Sequence, residues 1–500
     1  MRAPLAALLL LAAHARADGR GGRARALLAD LQAADEGAGA RGEFALDARA
    51  EPGQAGRELG MFAVEDIREG DAVLDVPLRH AIAPYHLARA NSPLAAPIKD
   101  ATWHDPCLFA TVALLQATWQ TDHVWAPYAA TIPTDAAGDA LWRWNRTRRR
   151  ELRDPGARAL ADERNRYLFD TALPLLERSI FPALADAGVP VPPLPESRAR
   201  DVERAYAGVL SRALAEKADA GAGGGLPEAA CALVPLLDLF NHADDGAVVA
   251  QLRRGGDTML RVTATRNYTA GEEVHLTYDA VDCSSPFVSA DAHGAAPRCF
   301  ADWMLHFGAP PRPLTGARQC ATLMFGTGDA GPPSPARKAA RAALRLPEDG
   351  AANFTVRLGG RLPPALLPWA RTAAATEQEL ARAAATEGGG FRRPLDAASE
   401  LRALDLVGLL VDSHLRALGN DARAAAVAFD GNEDPRTADA AGQANAGAAM
   451  ALLNVQDVLA GVREWYASDA EDLGSFARHR AERQSDAWAS EAAAARGGEL

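Results

Sequence analysis

Two short segments of the chain hold the residue types that can bind a ligand and orient a reacting group. Residues 234–242, VPLLDLFNH, form an apolar stretch that ends on Asn241 and His242. An amide beside an imidazole at the edge of a core can hold a purine edge or a ligand backbone by hydrogen bonds. Taken alone, however, such a pair is more often structural.

The second segment, residues 270–278, is AGEEVHLTY and begins about 30 residues after the first. Gly271 opens a tight turn that leads into a strand, and the strand ends on Tyr278, whose phenol can both donate and accept a hydrogen bond. A lone tyrosine at a strand end usually packs against the core. Together with Asn241 and His242, it becomes a candidate for orienting a reacting group.

A metal site has to be weighed, because His242 is close in sequence to Asp238, Asp244 and Asp245. No second histidine lies at ligand spacing, and no cysteine pair has the two-residue spacing of a zinc knuckle. We therefore predict no metal site. The cysteines are also too scattered for a disulfide framework, although one bridge stays open; they are Cys107, Cys231, Cys283, Cys299 and Cys320.

The elements around these segments predict an α+β fold. Residues 60–64 and 72–77 have the composition of strands on either side of a polar turn, and residues 248–252 and 259–263 are predicted to pair. Apolar residues recur at helical spacing between positions 85 and 217, and almost the whole chain beyond residue 310 is predicted to be helical. We thus expect a β domain at 45–310 with a helical insert at about 85–217, then an all-helical domain at 311–500.

The two segments resemble the signature stretches of the SET methyltransferase domain, especially the branch of the Rubisco large-subunit methyltransferases. Further motifs of that branch follow in the same order along residues 45–310, and the helical tail resembles the branch's substrate-binding domain. The matching stretches are GRELGMFA at 56–63, DIREG at 66–70, VP at 76–77, WAPY at 125–128, IP at 132–133 and SR at 211–212.

The resemblance implies a SET β-fold that uses S-adenosylmethionine to methylate a protein nitrogen, most simply a lysine. Deprotonating a lysine at pH 7 costs about 4–5 kcal/mol, which an apolar channel lowers by desolvating the ammonium. By this resemblance Tyr278 is the catalytic residue that orients the amine. The implied cofactor-binding residues are Leu59, Gly60, Met61, Arg212, Asn241 and His242.

Departures from the family pattern leave two alternatives open. Asp279 stands where the branch has glycine, and the asparagine expected a few residues later is missing, so the chain can also be an inactive SET-like module that binds a protein. A histidine acceptor is the other alternative. Ala213, which follows Arg212, has no side-chain amide to bind an imidazole, and this favours lysine.

The net charge of −12 argues against nucleic acid as a partner, since phosphate binding needs a basic face. We expect a protein substrate and no integral membrane span, while the oligomeric state stays open. Residues 1–17, with an apolar run at 5–13, have the layout of a signal or targeting peptide, and residues 18–44 form a lead-in. This predicts the secretory route or a plastid, or the cytoplasm if the leader does not act. Three N-x-T sequons, at Asn145, Asn267 and Asn353, are close to the number expected by chance.

Overall fold

The computed structural model describes a subset of the 500 residues. The predicted leader, Leu59 and Asp279 lie outside it. The described residues are 26–27, 29, 47–49, 60–63, 65–77, 80–82, 106–132, 139–217, 229–254, 257–278, 300–307, 319–326, 328–329, 331–346, 352–358, 362–385, 390–392, 394–423 and 440–468.

The chain divides into two compact units. The predicted domain boundary at residue 310 lies in a stretch outside the described residues. Unit 1 comprises Met1–Leu152, Ala157–Arg318 and Gly431–Ala440, and unit 2 comprises Arg153–Gly156, Gln319–Asp430 and Ala441–Leu500.

Unit 1 contains small antiparallel sheets built from eight described strands. The predicted pairing of residues 248–252 with 259–263 is confirmed, with Val248 opposite Thr263 and Leu252 opposite Met259. The strands are β1 (Asp47–Arg49), β2 (Gly60–Phe62), β3 (Ala72–Pro77), β4 (Leu214–Lys217), β5 (Ala229–Ala232), β6 (His242–Arg254), β7 (Asp257–Thr263) and β8 (Glu273–Val274).

The order of the strands separates two neighbours in the sequence. β2 and β3 flank a turn, yet they belong to different sheets: β2 pairs with β1 and β8, whereas β3 pairs with β7. Pairing with β8 brings Met61 opposite Val274 and Phe62 opposite Glu273. Strand β2, which contains the end of the opening motif, is thereby hydrogen-bonded to the second signature segment.

Helices fill most of the predicted insert, but its last residues are extended. The helix that ends at Arg212 is followed by Ala213 in an extended conformation, and Leu214–Lys217 then pairs with β5. The prediction of a helical insert up to residue 217 is wrong at this strand, because an alanine-rich sequence does not by itself distinguish the two states. The helices are α1 (Pro106–Trp119), α2 (Ala126–Ala129), α3 (Arg146–Arg149), α4 (Pro155–Arg166), α5 (Leu173–Leu175), α6 (Phe181–Asp186), α7 (Pro195–Arg212) and α8 (Phe300–Phe307), with π-helical turns at Tyr167–Ala172 and Leu176–Ile180.

A disulfide joins Cys107, on α1, to Cys231, on β5. Both residues are buried, at 5% and 1% exposure. The cysteine spacing had left one such bridge possible. The disulfide ties the helix Pro106–Trp119 to the strand that leads into the first signature segment.

Unit 2 is mainly helical, but it also contains a two-stranded antiparallel sheet, so the prediction of an all-helical domain is wrong here. The strands are paired over their full length, and burial alternates along them because successive side chains point to opposite faces. The elements are β9 (Cys320–Phe325), α9 (Pro335–Ala343), β10 (Ala352–Arg357), α10 (Leu366–Ala374), α11 (Glu377–Ala384), α12 (Ala397–Leu418) and α13 (Ala440–Ser468).

The core of unit 2 lies between this two-stranded sheet and the long helices. Phe325 stacks on Trp369 with ring centroids 4.2 Å apart, and both side chains are buried. α11 and α12 each begin with a capping box, built on Thr376 and Asp396 respectively, which satisfies backbone N–H groups at the helix start. Among the described residues, no helix combines the length and apolarity that crossing a bilayer requires.

Candidate active site

The two signature segments meet where β6 begins. The Leu276 N–H donates to the Asn241 carbonyl at 2.8 Å, and the Ala247 N–H donates to the His275 carbonyl at 2.8 Å. The second segment therefore lies against both arms of a bend at the start of β6. Gly246 is required in this bend, because a Cβ there would be 2.5 Å from the Leu276 carbonyl carbon.

Tyr278 is held against the first segment by two hydrogen bonds. Its hydroxyl donates to the Phe240 carbonyl at 2.5 Å, and its backbone N–H donates to Nδ1 of His242 at 3.1 Å. The hydroxyl proton is thus used to fix the phenol in place. The phenol oxygen keeps acceptor capacity, because a hydroxyl has one donor and two acceptor sites.

The Tyr278 ring belongs to an aromatic cluster of four residues: His242, Tyr278, Trp303 and Phe307. The Trp303 ring lies 4.5 Å from His242 and 5.9 Å from Tyr278, centroid to centroid, and stacks on the latter. Phe307 lies 5.0 Å from Tyr278 and 4.5 Å from Trp303. Trp303 and Phe307 share one face of α8, since they are four residues apart. Their π faces can attract a cation.

Asn241 is oriented by a carboxylate. Its Nδ2 donates to Oε1 of Glu273 at 2.7 Å, and Oε2 of Glu273 lies 3.5 Å from Nε2 of His275. Gly60 gives this carboxylate its space, because a Cβ on Gly60 would be 2.3 Å from Oε1. The glycine of the opening motif therefore makes room for Glu273, which in turn holds the asparagine.

A buried ion pair lies behind the first segment. Nη1 of Arg212 donates to the Asp238 carbonyl at 2.6 Å and lies 3.5 Å from Oδ2 of the same residue. Burial raises the pKa of Asp238, and the guanidinium offsets this rise only in part. Burial also raises the pKa of Tyr128 well above its usual value, with the negative charge of Asp238 adding to the effect. Tyr128, the tyrosine of the WAPY motif, thus interacts with the buried Asp238.

The backbone of the first segment is strained at one residue. Leu236 has φ 70° and ψ −34°, although it carries a bulky side chain that disfavours positive φ. Its side chain is 2% exposed, so burial in the core helps to hold the conformation. Strain of this kind typically costs about 1–3 kcal/mol and is concentrated at functional sites.

The predicted site residues fall into three groups. Asn241, His242 and Tyr278 are in direct contact at the junction of the two segments. Arg212 and Tyr278 line one cavity, together with Asp238, Ala213, Leu276 and Phe307 among others. Gly60 and Met61 lie on β2 beside β8, and the Met61 side chain is 1% exposed. Leu59 lies outside the described residues.

Three residues of the site were not identified from the sequence. Glu273 lies in the turn motif and Phe307 lies in the HFG stretch at 306–308, but neither pattern predicts a role in the site, and Trp303 belongs to no motif. The signal for the two rings is their i, i+4 spacing on an apolar helix, which predicts a shared face but not what that face contacts. Within the described residues, no cluster of His, Cys, Asp and Glu has the arrangement of a metal site.

Comparison with known proteins identifies a family model and solved structures of similar fold. Residues 58–279 match the model of the SET domain. The SET domain of LSMT bound to lysine and AdoHcy has a TM-score of 0.69 at 19% identity, covering 91% of this chain and 94% of that one. Rubisco LSMT bound to AdoMet has a TM-score of 0.63 at 19% identity, covering 84% and 88%. Rubisco LSMT bound to sinefungin and monomethyllysine also has a TM-score of 0.63, at 20% identity, covering 83% and 88%.

A search of curated proteins finds no significant match. The solved structures are similar to this chain in fold. The family model matches residues 58–279, which include both signature segments. Residues 58–279 therefore form a SET domain.

Proposed function

We propose that this chain transfers the methyl group of S-adenosylmethionine to a side-chain nitrogen of another protein, with lysine as the acceptor. The observation that carries the proposal is the junction of Asn241, His242 and Tyr278 inside a SET domain. Structures with this fold hold AdoMet or AdoHcy, and lysine is bound in one of them, which supports both the donor and the acceptor.

The residues at the junction suit such a donor. Asn241 and His242 provide an amide and an imidazole where β6 begins, and these groups can form hydrogen bonds with an adenosine group. The rings of Trp303 and Phe307 suit a positively charged sulfonium, because aromatic faces attract cations. When bound, the donor supplies an activated methyl group and leaves as the neutral thioether, so the protein has only to align an acceptor amine that has already lost its ammonium proton to solvent.

Tyr278 can align the acceptor without giving up its own proton. Its hydroxyl donates to Phe240, so the phenol oxygen can accept a hydrogen bond from an incoming amine. A fixed acceptor at this point favours one approach direction, and alignment of this kind lowers the barrier. The aliphatic part of the wall, which includes Leu237 and Leu276, favours the neutral amine over the ammonium.

The cavity wall favours lysine over histidine. Ala213 lines the cavity beside Arg212, and its methyl group offers no hydrogen bond to an imidazole. A histidine acceptor has to be held at one ring nitrogen while the other reacts, whereas a lysine needs a narrow channel for an aliphatic stem. The apolar lining supports the second arrangement.

The test is transfer of an isotope-labelled methyl group from S-adenosylmethionine to proteins of a cell extract. We expect the unaltered chain to label at least one protein, and Tyr278→Phe to label it at least about tenfold more slowly, or about 1.4 kcal/mol of lost barrier reduction. Tyr466→Phe, which removes a buried hydroxyl in unit 2, serves as the matched control and should keep full activity. Acid hydrolysis of the labelled protein should release methyl-lysine, and release of methyl-histidine would assign the other acceptor.

The same assay distinguishes an enzyme from an inactive binding module. A module that only binds proteins would show no labelling by any variant. Equal labelling by the unaltered chain and Tyr278→Phe would remove the phenol from the mechanism.

A further inference from the structure

The three N-x-T sequons all lie in described parts of the chain, and the methyl-transfer site uses none of them. In each sequon both the asparagine and the threonine are exposed. We propose that Asn145, Asn267 and Asn353 carry N-linked glycans, added as the chain passes through the secretory route. Glycan attachment modifies the chain itself and does not depend on methyl transfer.

Asn145 and Asn267 use only the oxygen of their amides in the hydrogen bonds that fix them. Oδ1 of Asn145 accepts from the Arg148 N–H at 2.9 Å and caps α3. Oδ1 of Asn267 accepts from the Glu69 N–H at 2.9 Å. A glycan is attached to the amide nitrogen, so both bonds are compatible with an attached sugar. The folded structure thus orients each acceptor without competing for the atom that is modified.

Burial alternates through two of the sequons. In the sequon at Asn353, the middle residue Phe354 is 7% exposed, while the residues on either side point outward from β10. In the sequon at Asn267, the middle residue Tyr268 is 2% exposed. Positions i and i+2 share a face of extended chain, so burying the middle residue presents the asparagine and the threonine together to solvent.

The disulfide between Cys107 and Cys231 is an independent argument for the same route. The two Cα atoms are 4.8 Å apart, within the range that a disulfide needs. Disulfides persist in oxidising compartments and are rare in the cytosol. The apolar run at residues 5–13, which lies outside the described residues, has the layout of a leader for entry into such a compartment.

The experiment is to express the full chain, with its own leader, in a eukaryotic cell and to treat it with an amidase that removes N-glycans. We expect the treated chain to migrate faster on a gel. When the amidase acts in heavy-oxygen water, peptide mass spectrometry should show labelled aspartate at all three sequon asparagines.

Matched substitutions separate loss of the sugar from loss of the fold. Asn145→Asp, Asn267→Asp and Asn353→Asp each keep a side-chain oxygen acceptor but remove the sequon, and each should remove one step of the mobility shift. Thr147→Ser, Thr269→Ser and Thr355→Ser keep the sequon and should leave the shift unchanged. A chain that the amidase does not alter, with unlabelled asparagine at all three positions, would overturn the proposal.

Discussion

Each unit of the molecule buries an arginine–carboxylate pair, and the two pairs are built differently. In unit 2, Arg371 grips both oxygens of Glu400, at 2.5 and 2.7 Å, and its remaining nitrogen donates to backbone carbonyls. In unit 1, Arg212 reaches the carboxylate of Asp238 only at 3.5 Å and makes its short bond to the carbonyl of that residue. The pair in unit 2 is fully bidentate, whereas the pair in unit 1 is loosely matched.

The two pairs also differ in their surroundings. Arg371 and Glu400 connect α10 to α12, and their complete pairing offsets the cost of burying two charges. Arg212 and Asp238 line the cavity of the candidate active site. There, burial raises the pKa of the carboxyl, and Leu236 keeps a strained backbone two residues away. Of these two pairs, the imperfectly matched one is the pair that lines the candidate site.

Breaking the pair in unit 2 should have the largest effect on stability. Arg371→Met leaves Glu400 buried without its partner, so we expect unit 2 to lose about 3–5 kcal/mol of unfolding free energy. Chemical denaturation, followed by the fluorescence change of the core that contains Trp369, measures this loss. A loss under about 1 kcal/mol would mean that the bidentate geometry contributes little.

Breaking the pair in unit 1 should cost less, and the cost should depend on pH. Arg212→Met removes the guanidinium, but Asp238 can take up a proton because its pKa is already raised. We expect a loss of about 1–3 kcal/mol, as for a buried polar group left unsatisfied. Since a raised carboxyl pKa makes the folded state less stable once the group ionises, the loss should grow as pH rises through that pKa.

Denaturation of this variant at several pH values is the measurement. Asp238→Asn in the same background should flatten the dependence, because the side chain no longer titrates. A loss as large as that of Arg371→Met at every pH would contradict the contrast between the two pairs.

Two glycine-to-alanine substitutions give the smallest and most selective comparison. In Gly60→Ala the new methyl group would collide with Glu273, release Asn241 and weaken donor binding by about tenfold, or about 1.4 kcal/mol. In Gly408→Ala the methyl group meets nothing within 4 Å in the middle of α12. This variant should stabilise unit 2 by about 0.5–1 kcal/mol, because alanine favours the helix.

Isothermal titration with the donor and thermal unfolding separate the two outcomes. Donor affinity should fall only in Gly60→Ala, and stability should rise only in Gly408→Ala. Unchanged donor binding by Gly60→Ala would show that the carboxylate can move without disturbing Asn241.

The sequence predicted those parts of the molecule in which local pattern and tertiary structure agree. Alternation and turn residues predicted the pairing of β6 with β7, and motif order predicted that the segments ending at His242 and Tyr278 would meet. The sequence did not predict β9 and β10, because each is a segment of only six residues, CATLMF and ANFTVR, in a region whose other segments have helical composition. The contacts of Trp303 and Glu273 depend on which elements meet in space, and no local pattern encodes that.

The most direct test of the account is a calorimetric titration of the chain with S-adenosylmethionine. We expect saturable binding by the unaltered chain and by Tyr278→Phe, since the phenol is assigned to the acceptor. Asn241→Ala should bind at least about tenfold more weakly, or about 1.4 kcal/mol. Asn145→Asp, which alters an exposed helix cap, should bind normally. Unaltered affinity in Asn241→Ala, or no binding by any chain, would contradict the assignment of this junction as the donor site.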